Sequence, residues 1–599
     1  MAKGHSEINR RSYRQPVIIL AAAFAGWFAL GMAISNPYYR LLMTLVPIWA
    51  TLAVSWNIFS GYSGLVSFGH AAFFGLGAFT AALSLKFFDI TPWIGIPLGG
   101  LVGALSGAAI GYPTFRLRGS YFALAMLAYP LALIAVFEWM GFQEISFPMK
   151  RESPVWYAQF ADYRVYLALA LVLLGIAMAI SLRIEKSRFG LSMLAIKQNE
   201  LAAEAAGVDT FAWKMRAMIL SAGVAGAAGA LYGVVILVIT PASVFGVVVS
   251  AQAMILTLFG GAGTLWGPLI GAVVLVPLSE ILHAELGHLL PGIQGIVYGA
   301  AIVLVVLLAP EGLYWRAKDM IGRGRAQPAD AKAEADASQP PPVQDKRIAP
   351  ASTAPTILEV KGVSKSFGGL RAVNNVSFTI PEGGIIGIIG PNGAGKTTLF
   401  NLLNGIDKPD EGDVLFQGWS LSGLKPNRVC KLGIGRTFQV ARAFQRMSVV
   451  ENVVTGAFNA HDSEDDAWRA AYAVLEQVGL TGRAETPALN LTSKELRLME
   501  LARALAGNPK LILMDEPLAG LGASETHDMI AIIRNLPPLG VTVVIIEHTM
   551  RAMVSTVDQF IVLDHGSLLA SGLPEVVTKD PRVIEAYLGR KWALANAAG

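Results

Sequence analysis

The run Gly390-Pro391-Asn392-Gly393-Ala394-Gly395-Lys396-Thr397-Thr398 carries the most specific chemistry in the sequence. Its glycines let the backbone turn tightly enough to aim successive N–H groups at phosphate oxygens. Lys396 is long enough to reach the β- and γ-phosphates of a nucleoside triphosphate, and the Thr397 hydroxyl is a hard oxygen ligand for Mg²⁺. The apolar run 384–389 before it has the pattern of a buried parallel strand, and residues 399–403 after it open an apolar helix. The N-terminus of such a helix favours anions. A glycine-rich loop alone is weak evidence; strand, Lys-Thr pair and helix together make it a phosphate-binding loop.

Two further strands end in groups suited to the same chemistry. Residues 511–514 run into Asp515-Glu516-Pro517. Asp515 suits Mg²⁺ coordination and Glu516 suits orienting and polarising an attacking water. Residues 541–546 run into Glu547-His548, which puts His548 where a γ-phosphate sensor is needed. Paired carboxylates at a strand end can be a cap, and a lone histidine after a strand is usually structural. A phosphate loop upstream in the same domain moves both readings toward ATP hydrolysis.

The elements that must position these residues occupy only part of the 599-residue chain. Overall composition is 54% hydrophobic and 15% charged, against roughly 25% charged in soluble domains. The imbalance lies in the first half, where apolar segments recur near 16–35, 42–60, 68–85, 92–112, 120–139, 163–183, 217–238, 248–265, 268–284 and 292–309. These make about ten spans of membrane-crossing length, with broken or re-entrant stretches expected around Gly61 to Ala78 and Gly260 to Gly271. Basic residues collect in the N-terminal tail (Arg10, Arg11, Arg14), after span four (Arg116, Arg118), after span six (Arg183, Lys186, Arg188, Lys197, Lys214, Arg216) and after span ten (Arg316, Lys318, Arg323, Arg325). With ten spans and the N-terminus inside, all four clusters face the cytoplasm. The first apolar stretch has the length of a span rather than of a signal-peptide core. Dense small residues, as at 222–229, suit close helix packing in lipid. His70 lies at membrane depth, either lining a path or packing helices, whereas Glu138, Glu280 and His283 sit near span ends.

Residues 326–355 are dominated by Ala, Pro and charged residues and read as a disordered tether. The expected organisation is a transmembrane domain over 1–325, this linker, and a nucleotide-binding domain over 356–599. The fold class is an N-terminal all-α polytopic membrane domain followed by a C-terminal α/β P-loop NTPase. The single cysteine, Cys430, excludes an intrachain disulfide, and a net charge of +4 gives no reason to invoke nucleic acid.

Phe367, the phosphate loop, Gln439 within residues 436–439, the Asp515-Glu516 pair and His548 together resemble the nucleotide-binding domain of ABC transporters, across 356–590. The resemblance implies that Phe367 stacks on adenine, that Gln439 contacts Mg²⁺ and water, that His548 contacts the γ-phosphate, and that ATP is sandwiched between two such domains. The closing segment, 562–566 through 585–589, is similar to the branched-chain amino-acid importer branch. So are 61–74, 260–268 and 190–207 in the membrane half. The last of these would form the coupling helix that docks near Gln439.

The family's LSGGQ signature is replaced here by Leu491-Thr492-Ser493-Lys494-Glu495. Lys494 stands where close backbone approach needs glycine, and Glu495 adds negative charge near a phosphate, so this signature is expected to support catalysis poorly. The resemblance implies ATP-driven import across a bacterial inner membrane, with the ATPase domain cytoplasmic. The implied partners are a second permease, a second ATPase subunit and a periplasmic solute-binding protein. Urea, amide or aromatic-carboxylate import and a non-transporting regulatory ATPase are the alternatives; exporters' usual six long spans do not match. The break at Tyr62, Ser63 and Ser67 is the expected substrate path.

Overall fold

The computed structural model describes residues 2–117, 119–150, 152–185, 187–286, 288, 292–308, 312–323 and 354–588. The tether at 326–353 and the basic residues Arg118, Lys186 and Arg325 lie outside the described residues, as do the side chains of Arg10, Arg11, Arg14, Lys318 and Arg323. The chain divides into two compact units, the first built from residues 1–197 and 210–327 and the second from 198–209 with 328–599.

The first unit is helical. Among the described residues, nine helices are long and apolar enough to cross a membrane. The tenth expected span is Ile293–Leu308, shorter at 16 residues. At 1.5 Å per residue it covers about 24 Å, and it carries no charged side chain. Counting it restores the even number that places the basic clusters on one side. The span expected at 217–238 begins earlier, at Thr210. Its first turns carry Lys214 and Arg216, which hide an apolar period but are good helix formers.

Small residues set the packing. Every buried residue of helix Pro92–Thr114 except its ends is a glycine, spaced by four: Gly95, Gly99, Gly103, Gly107 and Gly111. This stripe lies against helix Thr210–Ile236, where a Cβ on Gly103 would fall 2.4 Å from Ala222 O. A Cβ on Gly77, in helix His70–Phe88, would fall 1.9 Å from Gly226 O. Backbones this close gain dispersion contacts that larger side chains would block.

The broken stretch after Gly61 is present. Helix Pro37–Trp56 continues as a π-helix over Asn57–Gly61, and the chain stays non-helical until His70. Backbone groups freed in an apolar surrounding need partners. Asn57 Nδ2 donates to Thr264 O (2.9 Å), and its Oδ1 accepts from Gly263 N (2.7 Å). Lys197 Nζ donates to Gly61 O at 2.8 Å. His70 is fully buried and bridges Ser67 Oγ (3.0 Å) and Ser221 Oγ (2.8 Å). Since Ser221 Oγ donates to Ser55 O, it accepts from His70, which makes Nε2 the protonated nitrogen. His70 and Ser67 therefore hold the break together, which favours the packing reading of His70.

The second unit contains a six-stranded sheet in the order Ser567–Gly572, Gln559–Asp564, Ile385–Ile389, Thr542–Ile546, Leu511–Asp515 and Ile434–Arg436. It is parallel except for its first strand. The three central strands are fully buried, matching their continuous apolar sequences. A four-stranded antiparallel sheet is built on the hairpin Thr356–Phe367 and Leu370–Pro381.

Residues 198–209, expected to dock near Gln439 as a coupling segment, pack with this unit. Their short helix Glu200–Ala205 is capped by Asn199, which accepts from Ala202 N at 2.9 Å. Gln198 Oε1 accepts from Arg446 N (3.1 Å), and the helix contacts helix Pro426–Leu432. Gly207, at φ +90°, sits where a Cβ would lie 2.6 Å from Asn459 Cγ. Cys430, beneath this segment, accepts from Asn459 Nδ2 at 3.4 Å. Burial pushes its thiol up to about 12.

Two outcomes follow from this packing. Gly77→Ala lowers the thermal midpoint of the detergent-solubilised protein, equivalent to about 1–3 kcal/mol of overpacking. Gly26→Ala, with open space around its Cβ, leaves it unchanged. Cys430 resists a soluble maleimide at neutral pH in the folded protein and reacts fully after denaturation, because only the thiolate is nucleophilic.

Candidate functional site

The phosphate loop leaves strand Ile385–Ile389 and enters helix Lys396–Leu403. Gly395 adopts φ +93°, and a Cβ there would lie 2.3 Å from Ala372 O. Gly393, at φ +81°, has open space around it, so its backbone is accessible to a ligand. Ala394 is buried and holds the loop to the domain, while Asn392 and Thr397 are exposed and Pro391 and Thr398 half-buried. Lys396 is buried, and its Nζ donates to Gly390 O (2.7 Å) and Pro391 O (2.9 Å). Burial lowers its pKa, opposed by the charges of Glu516 and Asp515. The charges of the strand-end carboxylates therefore act on Lys396.

The three expected catalytic side chains meet. Glu516 Oε2 accepts from Gln439 Nε2 at 3.0 Å, and Glu516 Oε1 lies 2.8 Å from His548 Nε2. Glu516 has φ +50°, a conformation that costs a non-glycine residue roughly 1–3 kcal/mol. Its N–H donates to Ile546 O at 2.9 Å, which fixes the strained backbone to the neighbouring strand.

Asp515 is 2% exposed, and burial raises its pKa. Its Oδ2 lies 3.7 Å from Arg436 Nη2, while its Oδ1 has no hydrogen-bond partner among the described residues. An orphaned buried carboxylate oxygen beside a phosphate loop fits a divalent cation. The described residues contain no group of three or more His, Cys, Asp or Glu able to cage a metal. The donor set of one carboxylate, a threonine hydroxyl and an amide is that of a Mg²⁺ shared with substrate phosphates.

Phe367 stands apart from this cluster. It is 48% exposed at the tip of the hairpin, with Lys365 Nζ 5.5 Å from its ring centroid. The second hairpin strand brings Ala372 against Gly395, so the aromatic tip belongs to the element that borders the loop.

Several positioning residues were missed by sequence reasoning. Glu500 is buried in helix Ser493–Leu505 and accepts from Phe438 N (3.2 Å) and Arg442 N (3.1 Å), on either side of Gln439. Arg503 Nη2 donates to Glu500 (3.3 Å) and its Nη1 to Arg442 O (2.8 Å), while Arg497 Nη2 donates to Gln439 O (3.2 Å). Glu547 Oε1 accepts from Leu518 N at 2.7 Å, bracing the chain beyond Glu516. The i, i+3, i+6 spacing of Arg497, Glu500 and Arg503 among the apolar residues 496–505 was the available signal. Arg436, at the start of the 436–439 stretch, is a further positioning residue. It is buried between Phe400 and Phe438, and desolvation lowers its pKa to about 10.

The signature stretch differs from its expectation in one respect. Thr492 caps helix Ser493–Leu505 in a reciprocal box with Glu495, whose N–H donates to Thr492 Oγ1. Glu495 also pairs with Arg483 at 3.0 Å. Its carboxylate is thus held within the domain, because an acidic N3 residue is drawn to the helix's own terminal N–H groups. Lys494 pairs with Asp528 at 2.7 Å.

Comparison with known proteins covers both halves. Residues 38–306 match the family model of the branched-chain amino acid transport system permease component. Residues 373–519 match the ABC transporter model, and 567–593 the branched-chain amino acid ATP-binding cassette transporter model. The chain is 39% identical over 249 residues to the high-affinity branched-chain amino acid transport ATP-binding protein BraF of Pseudomonas aeruginosa, covering 98% of that protein and 39% of this chain. It is 38% identical over 251 residues to LivG of Escherichia coli K12, a protein of the same description, with the same coverage. A probable LivG of Archaeoglobus fulgidus is 35% identical over 245 residues, 95% of its length and 39% of this chain.

Glu500→Ala leaves two backbone amides and Arg503 without their buried partner. It destabilises the second unit by about 3–5 kcal/mol in denaturant unfolding of the full chain, and Glu500→Gln, which keeps one acceptor oxygen, costs less.

Proposed function

The chain belongs to the branched-chain amino-acid ABC transport family, with permease and ATP-binding components in one polypeptide, and from that premise we propose that ATP hydrolysis at the Glu516 cluster drives amino-acid import through the helical unit. The observation that carries the reading is the convergence of Gln439 and His548 on Glu516, facing Lys396.

Phe367 stacks on adenine. The backbone of residues 390–398 wraps the phosphates, and Lys396 leaves the Gly390 and Pro391 carbonyls to meet the β- and γ-phosphates. Thr397, Gln439 and Asp515 would hold Mg²⁺, which would supply charge neutralisation at the phosphate oxygens. Glu516 orients water against the γ-phosphorus and accepts its proton as the bond to the β-phosphate oxygen breaks, giving ADP and inorganic phosphate. His548 donates a hydrogen bond to the γ-phosphate, and its contact with Glu516 joins phosphate sensing to water activation.

Membership in a multi-subunit transporter family implies partner subunits. A second permease, a distinct second ATPase and a periplasmic solute-binding protein complete the assembly in a bacterial inner membrane. Supporting a heteromer is Lys494, which stands at the signature's glycine position and is tied to Asp528. A partner with a glycine-containing signature then completes the site built on this chain's phosphate loop. Residues 198–209, packed beside Cys430 and Arg446, transmit the ATPase cycle to the permease. Branched-chain amino acids are the substrate class favoured by the relatives' descriptions. At the helix break, Tyr62 offers a buried hydroxyl with no hydrogen-bond partner among the described residues.

In proteoliposomes containing the complete complex and a loaded binding protein, Glu516→Gln reduces both ATP hydrolysis and leucine uptake at least ~100-fold. Near-full hydrolysis by that variant would overturn the assignment of the competent site to this chain.

A further inference from the structure

The phosphate loop is restrained by the carboxy-terminal part of the second unit as well as by its own flanking strand and helix. Helix Pro581–Leu588 places the Tyr587 hydroxyl 2.6 Å from Gly390 N, which donates to it. Gly566, in the turn between the last two strands, donates its N–H to Ala394 O at 3.2 Å. One contact lies at the loop's first residue and the other at its middle.

We propose that Tyr587 is a positioning residue of the nucleotide site: its hydroxyl, by accepting the Gly390 N–H, fixes the first peptide of the phosphate loop and thereby sets the affinity for ATP. The proposal rests on the reading of that loop as the ATP site.

Gly390 opens the loop directly after strand Ile385–Ile389. Its φ is +155°, and a Cβ would lie 2.2 Å from Leu563 O, so the close approach excludes a side chain. The same lack of a Cβ leaves the adjoining peptide free to rotate. An external acceptor on the N–H removes that freedom. The Gly390 carbonyl accepts from Lys396 Nζ at 2.7 Å. Before nucleotide arrives, a single residue therefore connects Tyr587, through the backbone, to Lys396. Tyr587 is half-buried, and desolvation raises its pKa, so it remains a neutral phenol with lone pairs available to the amide. It acts through Gly390 and is not a catalytic residue.

Tyr587→Phe keeps the ring and its packing and removes only the acceptor. In the full-length chain within its complex, the variant weakens equilibrium binding of a fluorescent ATP analogue and raises KM for ATP about five-fold, the equivalent of one ordinary hydrogen bond. The kcat stays within about two-fold and the nucleotide-free thermal midpoint is unchanged. Wild-type analogue affinity and KM would overturn the proposal. So would a parallel fall in kcat and thermal midpoint with KM unchanged, which is the signature of a helix anchor alone. Glu516→Gln, assayed alongside, keeps the two questions separate. If it hydrolyses ATP at the wild-type rate, the assignment of catalysis fails, while the analogue-binding result for Tyr587→Phe still decides the role of Tyr587.

Discussion

Burying a polar group without a partner costs several kcal/mol, and both units are organised by that demand. In the helical unit, Lys197 meets Gly61 O and Ser67 meets Gly69 N, while Asn57 meets the freed backbone at Gly263 and Thr264. In the ATPase unit, Glu500 meets the amides around Gln439, and Arg503 meets Glu500. Among the buried atoms where the demand goes unmet is Asp515 Oδ1, an acceptor of a kind that suits a cation.

The same demand explains how a strained catalytic residue persists. Glu516 sits in a left-handed conformation that its own type disfavours. Strand pairing secures its N–H, while Gln439 and His548 occupy both carboxylate oxygens. Glu500 and Arg497 in turn fix the segment carrying Gln439. The geometry at Glu516 thus depends on charged residues outside the cluster itself. Their loss is felt first as instability and then as lost hydrolysis.

Sequence legibility differed between the units for physical reasons. The phosphate loop and the two strand ends were readable because each motif is contiguous, and phosphate binding needs fixed residue types at fixed spacing. Spans were readable because a hydrocarbon core imposes a length. Their ends were less so. Thr210 to Arg216 is helical yet polar, and Ile293–Leu308 is apolar yet short. The glycines of helix Pro92–Thr114 were visible, but not that their four-residue stripe faces Gly226 and Ala222.

By itself the sequence determined the two-part architecture, the nucleotide chemistry and the family, since hydropathy and contiguous motifs need no partner to be recognised. Tertiary structure decided which groups meet. It gathered Gln439, Glu516 and His548 into one cluster and turned Glu495 to its own helix cap. It packed residues 198–209 with the ATPase unit and brought Tyr587 to Gly390 across nearly two hundred residues of chain. Such contacts join positions far apart in sequence, and no local pattern encodes a hydrogen bond whose donor and acceptor are brought together only by the sheet between them.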